Sequence, residues 1–276
     1  MFTLNCKGRL LVIDKPVVMG IINVTPDSFY SQSRKQETDA VLHQAERMLE
    51  DGALILDIGG QSTRPGSERI SAEEELKRII APVSAIQARF PEAFISIDTF
   101  YAAVAKEAVD AGAVIVNDIS AGSMDSEMLS TVSSLQVPYV LMHMKGTPQT
   151  MRQEAGYENV IREVLDFLIA KKEDCRKAGI SDVIIDPGFG FGKTAAHNFE
   201  LLRHLSVFQV LNSPILLGIS RKSFIWKTLG ISADEALNGT TAMNMTGLVN
   251  GATILRVHDV KEAMETVRLF TTMMNK

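Results

Sequence analysis

Apolar residues gather in eight short runs, at positions 17–23, 54–58, 94–98, 114–118, 139–143, 183–186, 215–218 and 253–257. Most are hydrophobic at successive positions, the pattern of parallel strands buried on both faces. The intervening segments change period. In 38–51, Val41, Leu42, Ala45, Met48 and Leu49 fall on one helical face. Ser71 ahead of Glu73, Glu74 and Glu75 predicts an N-cap with carboxylates in the first turn. Gly52, Gly112 and Gly251 each stand between a helical segment and the next run. A left-handed residue there closes a helix into a short turn.

Eight strand–helix units predict an α/β fold, a (β/α)8 TIM barrel. A doubly wound sheet is the alternative, but it typically has five or six strands and a first-turn phosphate fingerprint. Residues 2–14 fall outside the count. With Asn5-Cys6-Lys7-Gly8 as a turn, they predict an N-terminal β-hairpin capping the barrel bottom. At 276 residues the chain is long for one ordinary domain, yet single barrels run to about 250. Without a linker, low-complexity tract or composition break, 1–276 reads as one domain.

Composition narrows the function classes. A hydrophobic content of 46% allows a large core and excludes disorder. The net charge of −5 argues against nucleic acid or an anionic membrane held by bulk charge, though not against a small anion held by local cations. Cys6 and Cys175 lack metal-type spacing and read as reduced thiols of a cytoplasmic protein. The amino terminus lacks a signal peptide's layout. The uncharged stretch 236–255 carries three Asn, four Thr and three Gly, so it reads as a helix and strand rather than a membrane span.

Barrel chemistry gathers at the carboxyl ends of strands. Those ends bring Asn23, Asp57, Asp98, Asn117 with Asp118, His143, Asp186, Lys222, and Arg256 with His258. So many polar groups are costly in a packed barrel unless they meet a ligand or each other. Asp57, Asp118 and His143 stay open between site and scaffold. The run from Asp186 ends in Gly-Lys-Thr, but Pro187 stands where a phosphate loop needs its first Gly. The histidines show no ligand-like spacing for a caged transition metal. Lys222 could form a Schiff base, while Arg221 and Ser223 beside it suit an anion or carboxylate equally well.

Taken in order, several motifs resemble the dihydropteroate synthases. They are Asn23-Val-Thr-Pro-Asp-Ser-Phe29, Gly59-Gly-Gln-Ser-Thr-Arg-Pro-Gly66, Asp98-Thr99, Asn117-Asp118, Leu141-Met-His-Met144, Asp186-Pro-Gly-Phe-Gly-Phe-Gly-Lys193, Ser220-Arg-Lys-Ser223 and Arg256-Val-His-Asp259. The resemblance implies condensation of 6-hydroxymethyl-7,8-dihydropterin diphosphate with 4-aminobenzoate, releasing pyrophosphate. It also implies Mg²⁺, a homodimer formed through barrel helices, and inhibition by sulfonamides.

Residue by residue, the resemblance assigns the pterin to Asp98, Asn117, Asp186, Lys222, Arg256 and Met142. A carboxylate at 186 would accept the ring's adjacent amino and N–H donors. The diphosphate is implied for Asn23, Arg64, Arg256 and His258, with Asn23 the Mg²⁺ ligand. The aminobenzoate is implied for Thr63, Pro65, Phe191, Ser223 and Phe29, with Ser223 opening a helix toward its carboxylate. Lys222, Arg256 and Asp98 are the catalytic assignments.

The chain also departs from the pattern. Tyr30-Ser31-Gln32-Ser33-Arg34 stands where many members have Ser-Asp-Gly-Gly, and Gln61 stands where Glu is usual. A methyltetrahydrofolate methyltransferase working with a corrinoid partner would share Asp98, Asn117 and Asp186, but has no use for the second and seventh motifs. A non-catalytic pterin-binding homologue is the other alternative.

Overall fold

The computed structural model describes residues 1–24, 34–62, 66–151 and 153–274. Strands β1 (Phe2–Cys6) and β2 (Arg9–Ile13) form an antiparallel hairpin with Cys6 opposite Arg9. Its turn is shorter than the one expected from Asn5 onward. Lys7 and Gly8 both take positive φ, at 53° and 87°, which matches the twist of a two-residue hairpin. Asn5 Oδ1 accepts the Gly8 N–H at 2.7 Å.

The other eight strands are β3 (Val17–Asn23), β4 (Ile55–Gly59), β5 (Phe94–Asp98), β6 (Ile115–Asp118), β7 (Tyr139–Met142), β8 (Val183–Asp186), β9 (Leu216–Leu217) and β10 (Ile254–Val257). They run parallel in the order β8-β7-β6-β5-β4-β3-β10-β9. A parallel bridge between Ile185 and Ile215 brings the two ends together into a barrel.

Helices α1 (Arg34–Glu50), α2 (Ala72–Arg89), α3 (Ala102–Asp110), α4 (Met128–Leu135), α5 (Val160–Ala178) and α6 (Ala195–Arg203) follow successive strands from β3 to β8. A short 3-10 helix, Leu205–Leu211, leads to β9. Then come α7 (Ser223–Leu229) and α8 (Leu237–Val249), and α9 (Val260–Met274) follows β10. The stretch suspected as a span is therefore α8 followed by β10. No helix among the described residues is long and apolar enough to cross a membrane.

The period-2 alternation of each strand divides the core in two. Val18, Leu56, Ile95, Val116, Leu141, Ile185, Leu217 and Leu255 face the helices. Met19, Ile55, Phe94, Ile115, Val140, Ile184, Leu216 and Ile254 fill the barrel, with Leu4, Cys6, Leu11 and Ile13 of the hairpin packed beneath them. Arg9 fastens the hairpin to the carbonyls of Pro91 and Glu92 and lies over the Phe94 ring. With its lower half filled by apolar side chains, the barrel carries its inward polar groups at the strands' carboxyl ends. Cys6 and Cys175 are buried free thiols, and burial pushes both up to about 12.

Candidate active site

Inward positions at the strand ends are polar. Strand register sets Asn23 beside Gly59, Gly59 beside Asp98, and Asp98 beside Asn117. Arg256 crosses to them from β10. Its Nε donates to Asp57 Oδ2 at 2.6 Å, and its Nη2 donates to Asp98 Oδ2 at 2.6 Å. Asp57 Oδ2 also accepts Asn117 Nδ2 at 3.0 Å. Asp57 is fully buried, and its second oxygen has no partner among the described residues.

Charge here is tightly balanced. Burial pushes the Asp98 carboxyl up to about 7; Arg256 pulls it down, while Asp57 and Asp118 oppose that pull. Burial also works against the Arg256 charge, but the Asp57 and Asp98 carboxylates outweigh it and hold the guanidinium above its usual range. Arg256 thus has two of its three nitrogens engaged by carboxylates.

The opposite wall is built from β8 and the turn after it. Asp186 Oδ1 accepts the Gly188 N–H at 2.7 Å. Burial raises the Asp186 carboxyl, against the Lys222 ammonium and the Gly188 N–H. Lys222 is the residue before α7; its ammonium donates to the Phe189 carbonyl and stands 4.4 Å from the Phe191 ring centroid. Burial lowers Lys222 to about 8, with the Asp186 carboxylate acting the other way. Met142 is buried with Phe100 and Ile119, and Phe191 packs partly against them. The wall thus sets an apolar cluster beside the Asp186 carboxylate and the Lys222 ammonium.

At the rim, Ser223 is exposed as the first residue of α7. His258 is half-buried, and its N–H donates to Ser220 Oγ at 3.2 Å. Phe29, Thr63, Arg64, Pro65 and the segment 30–33 lie outside the described residues.

The Mg²⁺ expectation can be tested against the donors present. Asn23 Oδ1 and Asp98 Oδ2 flank a recess at Gly59, where a Cβ would lie 3.9 Å from one and 3.8 Å from the other. These are hard oxygen donors, as Mg²⁺ prefers. No group of three or more His, Cys, Asp or Glu among the described residues could cage a metal. Asp98 Oδ2 is already engaged by Arg256 Nη2, so Asn23 is the residue here that would hold an ion, with ligand oxygens and water completing its shell.

The expectation for Arg221 is corrected. Its guanidinium grips Asp259 through two 2.9 Å bonds and reaches the carbonyls of Ala233 and Asp234. It bolts the α7–α8 connection to the end of β10 and is not disposed toward an anion.

The open residues are also resolved. Asp118 faces away from the barrel and accepts from Ser120, Gly122 and the Tyr139 hydroxyl, so it is scaffold. His143 is buried edge-on to Phe167 with Lys193 at its Nδ1; burial, then Lys193, push it down to about 2. It is a neutral packing group. Asp57 supports the site directly through Arg256 and Asn117.

Two residues beneath the site escape a motif search. Asn198 Oδ1 accepts the Gly190 N–H at 2.7 Å and so pins the turn under Phe191. Glu75 Oε2 accepts Gln61 Nε2 at 3.0 Å and Thr99 Oγ1 at 3.1 Å, tying the segment after β4 to the one after β5. Burial raises Glu75 to about 8, against the Thr99 bond. The Gln61 amide thus donates to a buried carboxyl oxygen. The signal for Glu75 is its helical spacing with Ile79, Pro82, Val83 and Ile86, the buried face of α2.

Known proteins share both the sequence and this architecture. The profile of the family described as "Pterin binding enzyme" matches residues 19–258. The dihydropteroate synthase of Escherichia coli (strain K12) is 44% identical over 269 residues, covering 96% of this chain and 94% of that one. A Yersinia pestis dihydropteroate synthase structure with a sulfonamide drug superposes with a TM-score of 0.93 at 39% identity, covering 99% of each chain. The Xanthomonas albilineans dihydropteroate synthase with 4-aminobenzoic acid gives 0.92 at 38%, covering 99% of this chain and 98% of that one. With the barrel, its polar mouth and these likenesses together, the chain belongs to the pterin binding enzyme family, among its dihydropteroate synthases.

Proposed function

We propose that the protein joins 6-hydroxymethyl-7,8-dihydropterin diphosphate to 4-aminobenzoate, and that the pterin is held between Asp186, Lys222, Asn117, Asp98 and Met142. The observation that carries this reading is the Asp186 carboxylate, buried at the strand ends and influenced by both Lys222 and Arg256. It suits the pterin's paired amino and ring N–H donors, while Lys222 suits the carbonyl side. Arg256, clasped by Asp57 and Asp98, is a rigid planar cation beside the ring.

Asn23 and His258 serve the diphosphate at the rim, with Arg64 and Arg256 as its cations. Asn23 would hold Mg²⁺, which when bound would supply neutralising charge to the diphosphate. In the reaction the pterin C–O bond breaks, pyrophosphate takes the electron pair, and the neutral arylamine nitrogen bonds the methylene carbon and then loses a proton. Asp98 and Asp186 stabilise positive charge on the pterin as the C–O bond opens. No side-chain nucleophile is needed.

The aminobenzoate lies against Phe191, with Phe29, Thr63 and Pro65 beside it and its carboxylate at the Ser223 hydroxyl. The solved X. albilineans relative with 4-aminobenzoic acid and the Y. pestis relative with a sulfonamide support both that site and sulfonamide competition here. Exposed Val210, Leu229 and Val249 near and on α7 and α8 support a homodimer through barrel helices. Buried free thiols support a cytoplasmic setting.

The aminobenzoate assignment is checked by initial rates against both substrates. Ser223→Ala is expected to raise the KM for 4-aminobenzoate and the Ki of a competing sulfonamide about 10- to 150-fold, the worth of one hydrogen bond to a charged group. The KM for the pterin diphosphate stays within about twofold. Equal changes for both substrates would remove Ser223 from the aminobenzoate site.

A further inference from the structure

The glycine-rich run after β8 ends in a lysine that the reaction does not use. Lys193 is half-buried, and its side-chain nitrogen is surrounded by protein acceptors. It lies 2.9 Å from the Gly188 carbonyl oxygen, 3.1 Å from that of Phe191 and 3.4 Å from that of His143, with His143 Nδ1 at 2.9 Å. The amine carries three protons at most, and burial holds it well below the usual lysine range, so these partners leave none for an outside anion. The Gly-Lys-Thr ending is therefore not a phosphate grip.

What the lysine holds is the turn itself. Gly188, Gly190 and Gly192 take positive φ at 72°, 81° and 63°. Three such residues in five make a segment with little intrinsic preference for one shape. Lys193 gathers the carbonyls at both ends of it, and Asn198 anchors its middle at Gly190. The same turn presents the Phe189 carbonyl to Lys222 and the Phe191 ring beneath the Lys222 ammonium. At its start, the Gly188 N–H caps Asp186.

We propose that Lys193 is a positioning residue: by cross-bracing residues 188–192 it fixes Phe191, and through the Phe189 carbonyl it seats Lys222. Lys193 itself touches no substrate; it acts through those two side chains. The inference rests on the substrate reading given above, and wild-type turnover in the same assay tests that reading separately.

Lys193→Met keeps the stem and removes every donor. The expected result is a 10- to 100-fold rise in the KM for 4-aminobenzoate, the scale of loss for a reacting partner misplaced by about 1 Å. The KM for the pterin diphosphate changes less, because Asn117 and Asp98 remain in place. The alkaline limb of the kcat/KM profile, near 8 where Lys222 governs it, moves toward the ordinary lysine range as Lys222 loses its seat. Amide exchange at Gly190 and Phe191 quickens while thermal unfolding stays cooperative. Lys193→Arg, which retains the donors, recovers most of the KM.

If Lys193→Met fails to fold, Lys193→Gln is compared in the same way, since its amide still reaches one carbonyl. A Met or Gln variant with unchanged KM for both substrates and an unchanged pH profile would overturn the proposal. So would equal KM changes for the two substrates, or an Arg variant no better than Met.

Discussion

Replacing Arg256 with leucine is expected to destabilise the protein by about 3–5 kcal/mol at pH 8, beyond abolishing turnover. The cause is the clasp with Asp57 and Asp98: both 2.6 Å bonds vanish and the two carboxylates lose their hydrogen-bonded cation. The sign of the pH dependence follows from Asp98. Burial raises its carboxyl to about 7 in the folded protein even with Arg256 present, above an unfolded value of about 4. A raised group favours the folded state fully below its unfolded pKa, and that contribution is lost as pH rises through the folded value. Without Arg256 the carboxyl rises further and takes up its proton more readily. The deficit should therefore shrink at pH 5 and be largest at pH 8. Urea unfolding at the two pH values measures it, and equal deficits would show that the clasp is not what the arginine contributes.

Asp186→Asn separates binding from stability in the opposite sense. Its amide offers one acceptor and one donor where the pterin presents two donors, so one pairing is kept and the other is replaced by a donor facing a donor. Loss of a charge-assisted bond costs about 1.5–3 kcal/mol, so pterin affinity should fall by about 100-fold. Stability should not fall with it. Burial raises the Asp186 carboxyl, which means that its charge is held at the fold's expense and that an amide removes that cost. Titration calorimetry with the pterin and a melting curve check the pair: unchanged affinity would remove Asp186 from the pterin site.

The strands were readable because burial on both faces leaves an unbroken apolar run. Strand β9 was the exception in length. It forms a ladder only at Leu216–Leu217, while the Thr253 hydroxyl, rather than a strand partner, accepts the Ile215 N–H. The polar strand ends were readable as a group, but not one by one. Asn117 and Asp118 are neighbours with opposite orientations, and only the register of β6 assigns the first to the barrel and the second to Tyr139.

Charge was the harder part to read. Arg221 and Lys222 are adjacent cations, and no local pattern tells that one grips Asp259 and the other faces the site. The motif around Lys193 resembles an anion loop because glycines and a lysine serve either purpose. Its partners are backbone carbonyls brought close by folding, which side-chain identity does not encode. Glu75 was legible as an acidic residue in a helix's first turn; its burial shows only when its spacing is compared with that of the apolar residues on α2.

The most direct measurement follows pyrophosphate and 7,8-dihydropteroate together when the purified protein receives the pterin diphosphate, 4-aminobenzoate and Mg²⁺. The two products should appear in equal amounts, their formation should require both substrates, and Asp186→Asn should suppress both. Folded protein that binds the pterin but releases neither product would contradict the proposed function.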